Sequence, residues 1–143
     1  MNIRTALTSA AVIGTMVVVG GWTVAQMKWN AKLAPMSGST IQGTATIVPG
    51  KDAGTATATI SITGGKAGAS YPWHVHVGKC PTGGVFGPPS AYKPISVGKD
   101  GAGTSTAELT VASPNGGDYH VNIHASADDM KTLVACGEFN MSM

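Results

Sequence analysis

Charge is what this chain has least of. Nine Lys and Arg and seven Asp and Glu are spread over 143 residues, giving a formal net charge of +2. The lysines are scattered rather than clustered, which excludes the basic stripe of a nucleic-acid surface. There is no Gly-rich phosphate loop and no Ser/His/Asp set at a recognisable spacing, so the familiar nucleotide-binding and hydrolase motifs are missing. No helical periodicity runs through residues 39–143, and no internal repeat occurs. Cysteine is limited to two residues and histidine to four. Where those six sit therefore carries most of the chemistry the chain can offer.

The first segment is a different material from the rest. After Arg4 no charge occurs until Lys28, and the run between them is largely apolar. About 20 helical residues cross a bilayer core, so residues 5–27 are long enough to do so. Trp22 and Trp29, near the far end, fit an interfacial aromatic belt. A cleaved secretory signal peptide fits the same residues, with Thr23-Val24-Ala25 as a poor small-residue cleavage site. On the residues alone the two readings are nearly even, and an uncleaved membrane anchor over residues 1–29 is the expectation taken here. Residues 30–38, with Pro35 and Gly38, read as a linker to a domain over 39–143.

That domain is rich in Gly, Thr, Ala and Ser, as turn-rich all-β domains are. Ile41 to Val48 begins it. Thr55 to Thr63 alternates with period two and ends at Gly64-Gly65, a strand and its turn. Trp73 to Val77 is a third strand. Residues 79–92 carry Pro81, Gly83, Gly84, Gly87, Pro88 and Pro89 and read as loop. Ile95 to Val97, Thr104 to Val111, Tyr119 to Ala125 and Thr132 to Phe139 supply the remaining strands. Seven or eight short strands without helix imply an all-β sandwich or Greek-key barrel.

Side-chain parity then places the histidines. Val75 and Val77 take one face of their strand, and His74 and His76 the other. In the strand at 119–125, Val121, Ile123 and Ala125 oppose His120, Asn122 and His124. The apolar set is expected to fill the barrel and the histidines to stand outside it. Two histidines at i and i+2, joined by a third from another strand, suit a transition metal such as copper or zinc.

These same residues carry a family resemblance. Ile60-Ser-Ile-Thr-Gly-Gly65 followed by Trp73-His-Val-His-Val-Gly78 resembles the strands leading into the copper-ligand motif of copper/zinc superoxide dismutases. Lys99-Asp-Gly-Ala-Gly103 resembles a later turn of that family. Asn122-Ile-His-Ala-Ser-Ala-Asp-Asp-Met130 resembles the segment with its last copper histidine, and Val134-Ala-Cys-Gly137 the segment with its second disulfide cysteine. The likeness spans roughly residues 40–138. It implies His74, His76 and His124 as copper ligands and a disulfide between Cys80 and Cys136. Read from the residues alone, the two cysteines could also be free thiols. Tyr119-His-Val-Asn-Ile-His124 also resembles CHRD domains, which share a β architecture and lack established catalysis.

The departures from the dismutase pattern shape the functional expectation. The family's metal-bridging histidine follows Gly-Pro, where this chain has Pro89. The zinc-binding stretch has no room between Ser90 and Ile95, so the resemblance implies copper without zinc. Leu133 replaces the substrate-guiding arginine, although Lys131 lies on the same strand face. Met141 and Met143 offer thioethers suited to Cu(I), but their position reads as ordinary tail or membrane contact. The expectation is a membrane-anchored accessory subunit of a bacterial inner-membrane complex, respiratory or photosynthetic, with its domain in the periplasm and with copper binding retained. A minimal copper-only dismutase and a copper-holding protein are the alternatives.

Overall fold

The computed structural model describes residues 20, 21 and 26–143. Nine strands follow one another: β1 Lys28–Pro35, β2 Gln42–Pro49, β3 Ala56–Thr63, β4 Ser70–Tyr71, β5 Trp73–Val77, β6 Ile95–Ser96, β7 Gly103–Leu109, β8 Tyr119–His124 and β9 Leu133–Ser142. Seven form one antiparallel sheet in the order β5-β8-β9-β1-β2-β3-β7, curled into a half-barrel. The other two, β4 and β6, pair with each other. The described residues are all-β, as the period-two alternation implies.

Alternation fixes which face turns inward. In β3, Ala56, Ala58, Ile60 and Ile62 are buried while Thr57, Thr59, Ser61 and Thr63 take the opposite face. β2 and β7 repeat the pattern with Ala45 and Ile47, and with Ala107 and Leu109. Small alanines let the curled sheet close tightly around the larger Leu33, Trp73, Ile95 and Ile123. The two edge strands are tied together by one backbone carbonyl. Lys93 O accepts from the Trp73 indole of β5 at 2.8 Å and from the Ser105 hydroxyl of β7 at 2.6 Å. The segment between β5 and β7 thus spans the open side of the half-barrel.

The N-terminal boundary needs correcting. Residues 30–38 are not a linker: most of them belong to β1, a central strand between β9 and β2. Trp29 is not an interfacial anchor either. It is 3% exposed, packs edge-on against Tyr119, and donates its indole N–H to Pro114 O at 2.8 Å. Trp29, Ala31 and Leu33 point inward while Lys28, Asn30 and Lys32 do not, an alternation present in the sequence but overshadowed by the apolar run before it. That run, Trp22 included, lies mostly outside the described residues. Among those described, no helix is long and apolar enough to cross a membrane.

Candidate metal centre

β5 and β8 run antiparallel, with His74 opposite Asn122 and His76 opposite His120. Directly opposed residues share a face, so four histidines and one asparagine collect on one patch. Val75, Val121 and Ile123, at 0% exposure, fill the other side. The parity expectation is correct for Val75, Val121 and Ile123, but Val77, expected in the core with them, is 48% exposed at the end of β5, and Ala125 lies past the end of β8 and is only half-buried. The histidines lie on the opposite face, yet they do not stand in open solvent. His76 is 9% exposed, His124 7% and His120 0%.

The cover is the loop that follows β5. Its carbonyls satisfy the polar face one after another: His76 Nδ1 meets Gly83 O at 2.9 Å, His120 Nδ1 meets Gly78 O at 2.7 Å, and Asn122 Nδ2 donates to Pro81 O at 2.9 Å. Backbone bonds from Val77 N to Gly84 O and from Phe86 N to Val75 O lay the loop along the β5 edge. The Cys80–Cys136 disulfide, with Cα atoms 6.2 Å apart, fastens it to β9. Cys136 faces the loop because it sits directly across from Asn122. A Pro/Gly-rich stretch therefore becomes a lid built of hydrogen-bonded carbonyls, ending in the 3₁₀ turn Pro89–Ala91.

Gly83 is the pivot of that lid. Its φ is +147°, and a Cβ there would meet Val77 O at 1.8 Å. No side chain fits. Gly83→Ala is expected to destabilise the fold by more than about 2 kcal/mol through backbone strain and displacement of the loop. Denaturant unfolding measures this, and an unchanged midpoint would show that the loop is not held as described.

His74, His76 and His124 offer one nitrogen each, all within 4.8 Å of one another, a group able to hold a metal ion. A register shift between Ile123 and His124 helps aim the third ligand, as bulges near functional sites do. The hydrogen bonds assign the donor atoms. His76 and His124 give their Nδ1 hydrogens to the carbonyls of Gly83 and Met130, the latter at 2.7 Å, which leaves Nε2 of each with a free lone pair. His76 Nε2 is buried and has no partner among the described residues. His74 Nδ1 lies 3.2 Å from His124 Nε2, so without a metal the two rings share one hydrogen. The unpartnered His76 Nε2, beside the His124 Nε2 acceptor, fits a cation.

His120 is the fourth imidazole and stays outside the set. It stacks on His76 with ring centroids 5.2 Å apart and planes 15° from parallel. Tyr92, which sequence reasoning missed, closes the far side: its ring meets His74 edge-on at 5.3 Å and its hydroxyl donates to Phe86 O. No sequence signal marks Tyr92. The carbonyls of Gly78, Gly83 and Met130 were equally unreadable, because any residue supplies a carbonyl.

Electrostatics keep the ligands neutral. Burial, followed by the nearness of His124 and His76, lowers the His74 pKa from 6.5 to about 4. Burial also lowers His76 and His124, against the opposing pull of their carbonyl partners. A base whose folded pKa is depressed binds fewer protons than the unfolded chain between the two values. Stability of the metal-free protein is therefore complete above about pH 6.5 and declines as pH falls toward 4. Chemical denaturation at stepped pH should show this slope, and His74→Gln should flatten it.

The residues tied to the dismutase departures occupy definite places. Pro89 opens the exposed 3₁₀ turn, and Leu133 pairs with His124 at the start of β9. Met141 lies eight residues further along β9, about 26 Å away at strand spacing, so the tail methionines do not join this centre. Comparison with known proteins gave no match to any family model or to any curated protein.

Proposed function

We propose that the chain is a copper-holding domain of the superoxide dismutase-like Greek-key type. The observation that carries the reading is the convergence of three imidazoles, each offering a ring nitrogen within 4.8 Å of the other two, that of His76 buried without a partner among the described residues. Imidazole binds several divalent metals, and Cu(II) stands above Zn(II) in intrinsic affinity. The His-Val-His and Asn-Ile-His motifs, which resemble the dismutase copper ligands, favour copper as well. Bound copper would supply one-electron chemistry by alternating between two oxidation states. His76 and His124 are oriented for it by the Gly83 and Met130 carbonyls. Competition dialysis of the full-length chain against equimolar Cu(II) and Zn(II) tests the assignment, and preferential zinc loading would sink it.

Dismutation is the second reading, supported by the same ligands and by Lys131, which follows the Met130 carbonyl that orients His124. Against it stand Leu133 and Pro89, which leave neither the guiding cation nor the bridging imidazole. Copper-loaded protein is therefore expected to dismutate superoxide weakly, far below the diffusional ceiling of about 10⁸–10⁹ M⁻¹s⁻¹. A rate near that ceiling in a stopped-flow assay would reverse the order of the two readings. The uncharged run over residues 5–27 supports a further element of the proposal. It would anchor the domain at the periplasmic face of a bacterial inner membrane as an accessory subunit of a larger complex. Sequencing the N-terminus of the natural protein tests that element, and a start near residue 26 would remove the anchor.

A further inference from the structure

The methionines are placed oddly for apolar side chains. Met27, Met130, Met141 and Met143 are exposed at 37%, 39%, 48% and 95%. Three of the four, Met27, Met141 and Met143, lie at the same end of the sheet. β1 and β9 pair with Lys28 opposite Ser142 and Trp29 opposite Met141. Met27 and Met143 lie one residue beyond the strand ends, where continuing the same register would set them opposite each other. Opposed residues point to the same face, so Met27, Met141 and Met143 share the face that carries Trp29 and Phe139. That face is the core side of the sheet, at the end where the core runs out. Lys28, Asn140 and Ser142 take the other face.

Distances favour a shared point. Opposed Cβ atoms lie about 4.5–5.5 Å apart and diagonal ones about 7–8 Å apart. Methionine has an unbranched stem with three rotatable bonds, long enough to bring sulfurs together across such gaps. Thioether sulfur is soft and uncharged, so it selects Cu(I) over Cu(II) or Zn(II). We infer that Met27, Met141 and Met143 form a thioether site for a soft monovalent ion, Cu(I) or its redox-inert analogue Ag(I). It lies about 26 Å along β9 from the histidine centre and is independent of it. Trp29, buried opposite Met141, floors the cluster.

Ag(I) titration of the full-length chain, followed calorimetrically and by the methionine methyl resonances, tests this. The variant with Met27→Leu, Met141→Leu and Met143→Leu changes volume little at exposed positions, so the fold should persist. It is expected to lose one bound Ag(I) equivalent while Cu(II) binding at the histidines is unchanged. A His74→Ala, His124→Ala variant is expected to keep that equivalent and the Ag(I)-induced methyl shifts. The inference is overturned if the leucine variant binds as much Ag(I) as the parent, or if the histidine variant binds none. The latter is also the result for a merely lipid-facing apolar patch. If the histidine centre itself takes no metal, the parent still binds one Ag(I) and the leucine variant none.

Discussion

Replacing His124 with alanine is expected to reduce Cu(II) affinity by more than about 100-fold, while the same change at His120 leaves copper bound. The contrast follows from geometry rather than from sequence spacing, since both residues sit on the same face of β8. His124 offers a ring nitrogen within 4.8 Å of the other two ligand nitrogens. His120 is stacked flat on His76 and belongs to no such group. Loss even of an orienting partner typically costs 10–100-fold in metal affinity, and loss of a ligand costs more. His120→Ala acts on stability instead. It empties a fully buried position and leaves Gly78 O without its partner, a loss of about 1–3 kcal/mol. Isothermal titration with Cu(II) and denaturant unfolding of both variants separate the two roles. Abolished binding in His120→Ala with retention of its fold would show that the ligand set has been drawn wrongly.

Removing the disulfide by Cys80→Ser and Cys136→Ser is expected to lower stability by about 2–4 kcal/mol. The bond spans 56 residues of sequence and closes a long loop, and it also fixes the lid that supplies the carbonyls of Gly78, Pro81 and Gly83. Copper affinity should fall along with stability, because His76 loses the neighbour that holds its Nδ1 hydrogen and aims its Nε2. Urea unfolding and Cu(II) titration of the double variant check both effects. A stable variant with unchanged copper affinity would mean that the loop needs no fastening.

Much of this architecture was legible in the residues. Alternation over 55–63 and 119–125 revealed the strands that form as Ala56–Thr63 and Tyr119–His124, and parity put Val75, Val121 and Ile123, though not Val77, into the core. The pairing of Cys80 with Cys136 followed the family resemblance. What escaped reading has physical causes. β1 was missed because the apolar run ending before Lys28 looked like a membrane segment, which turned a six-residue alternation into a presumed linker. β4 is two residues long and carries no period at all. The burial of the histidines was invisible because parity says which face a side chain takes, and not what folds over that face. The lid is made of glycine and proline carbonyls, and their partners are set by tertiary structure alone.

The central claim is that three imidazoles hold one copper ion. Electron paramagnetic resonance of the full-length chain loaded with one equivalent of Cu(II), using histidine labelled with nitrogen-15, tests it most directly. Nitrogen superhyperfine coupling from three histidines is expected, collapsing to fewer in His74→Ala and unchanged in His120→Ala. A spectrum without histidine coupling, or one indifferent to His74→Ala, would contradict it.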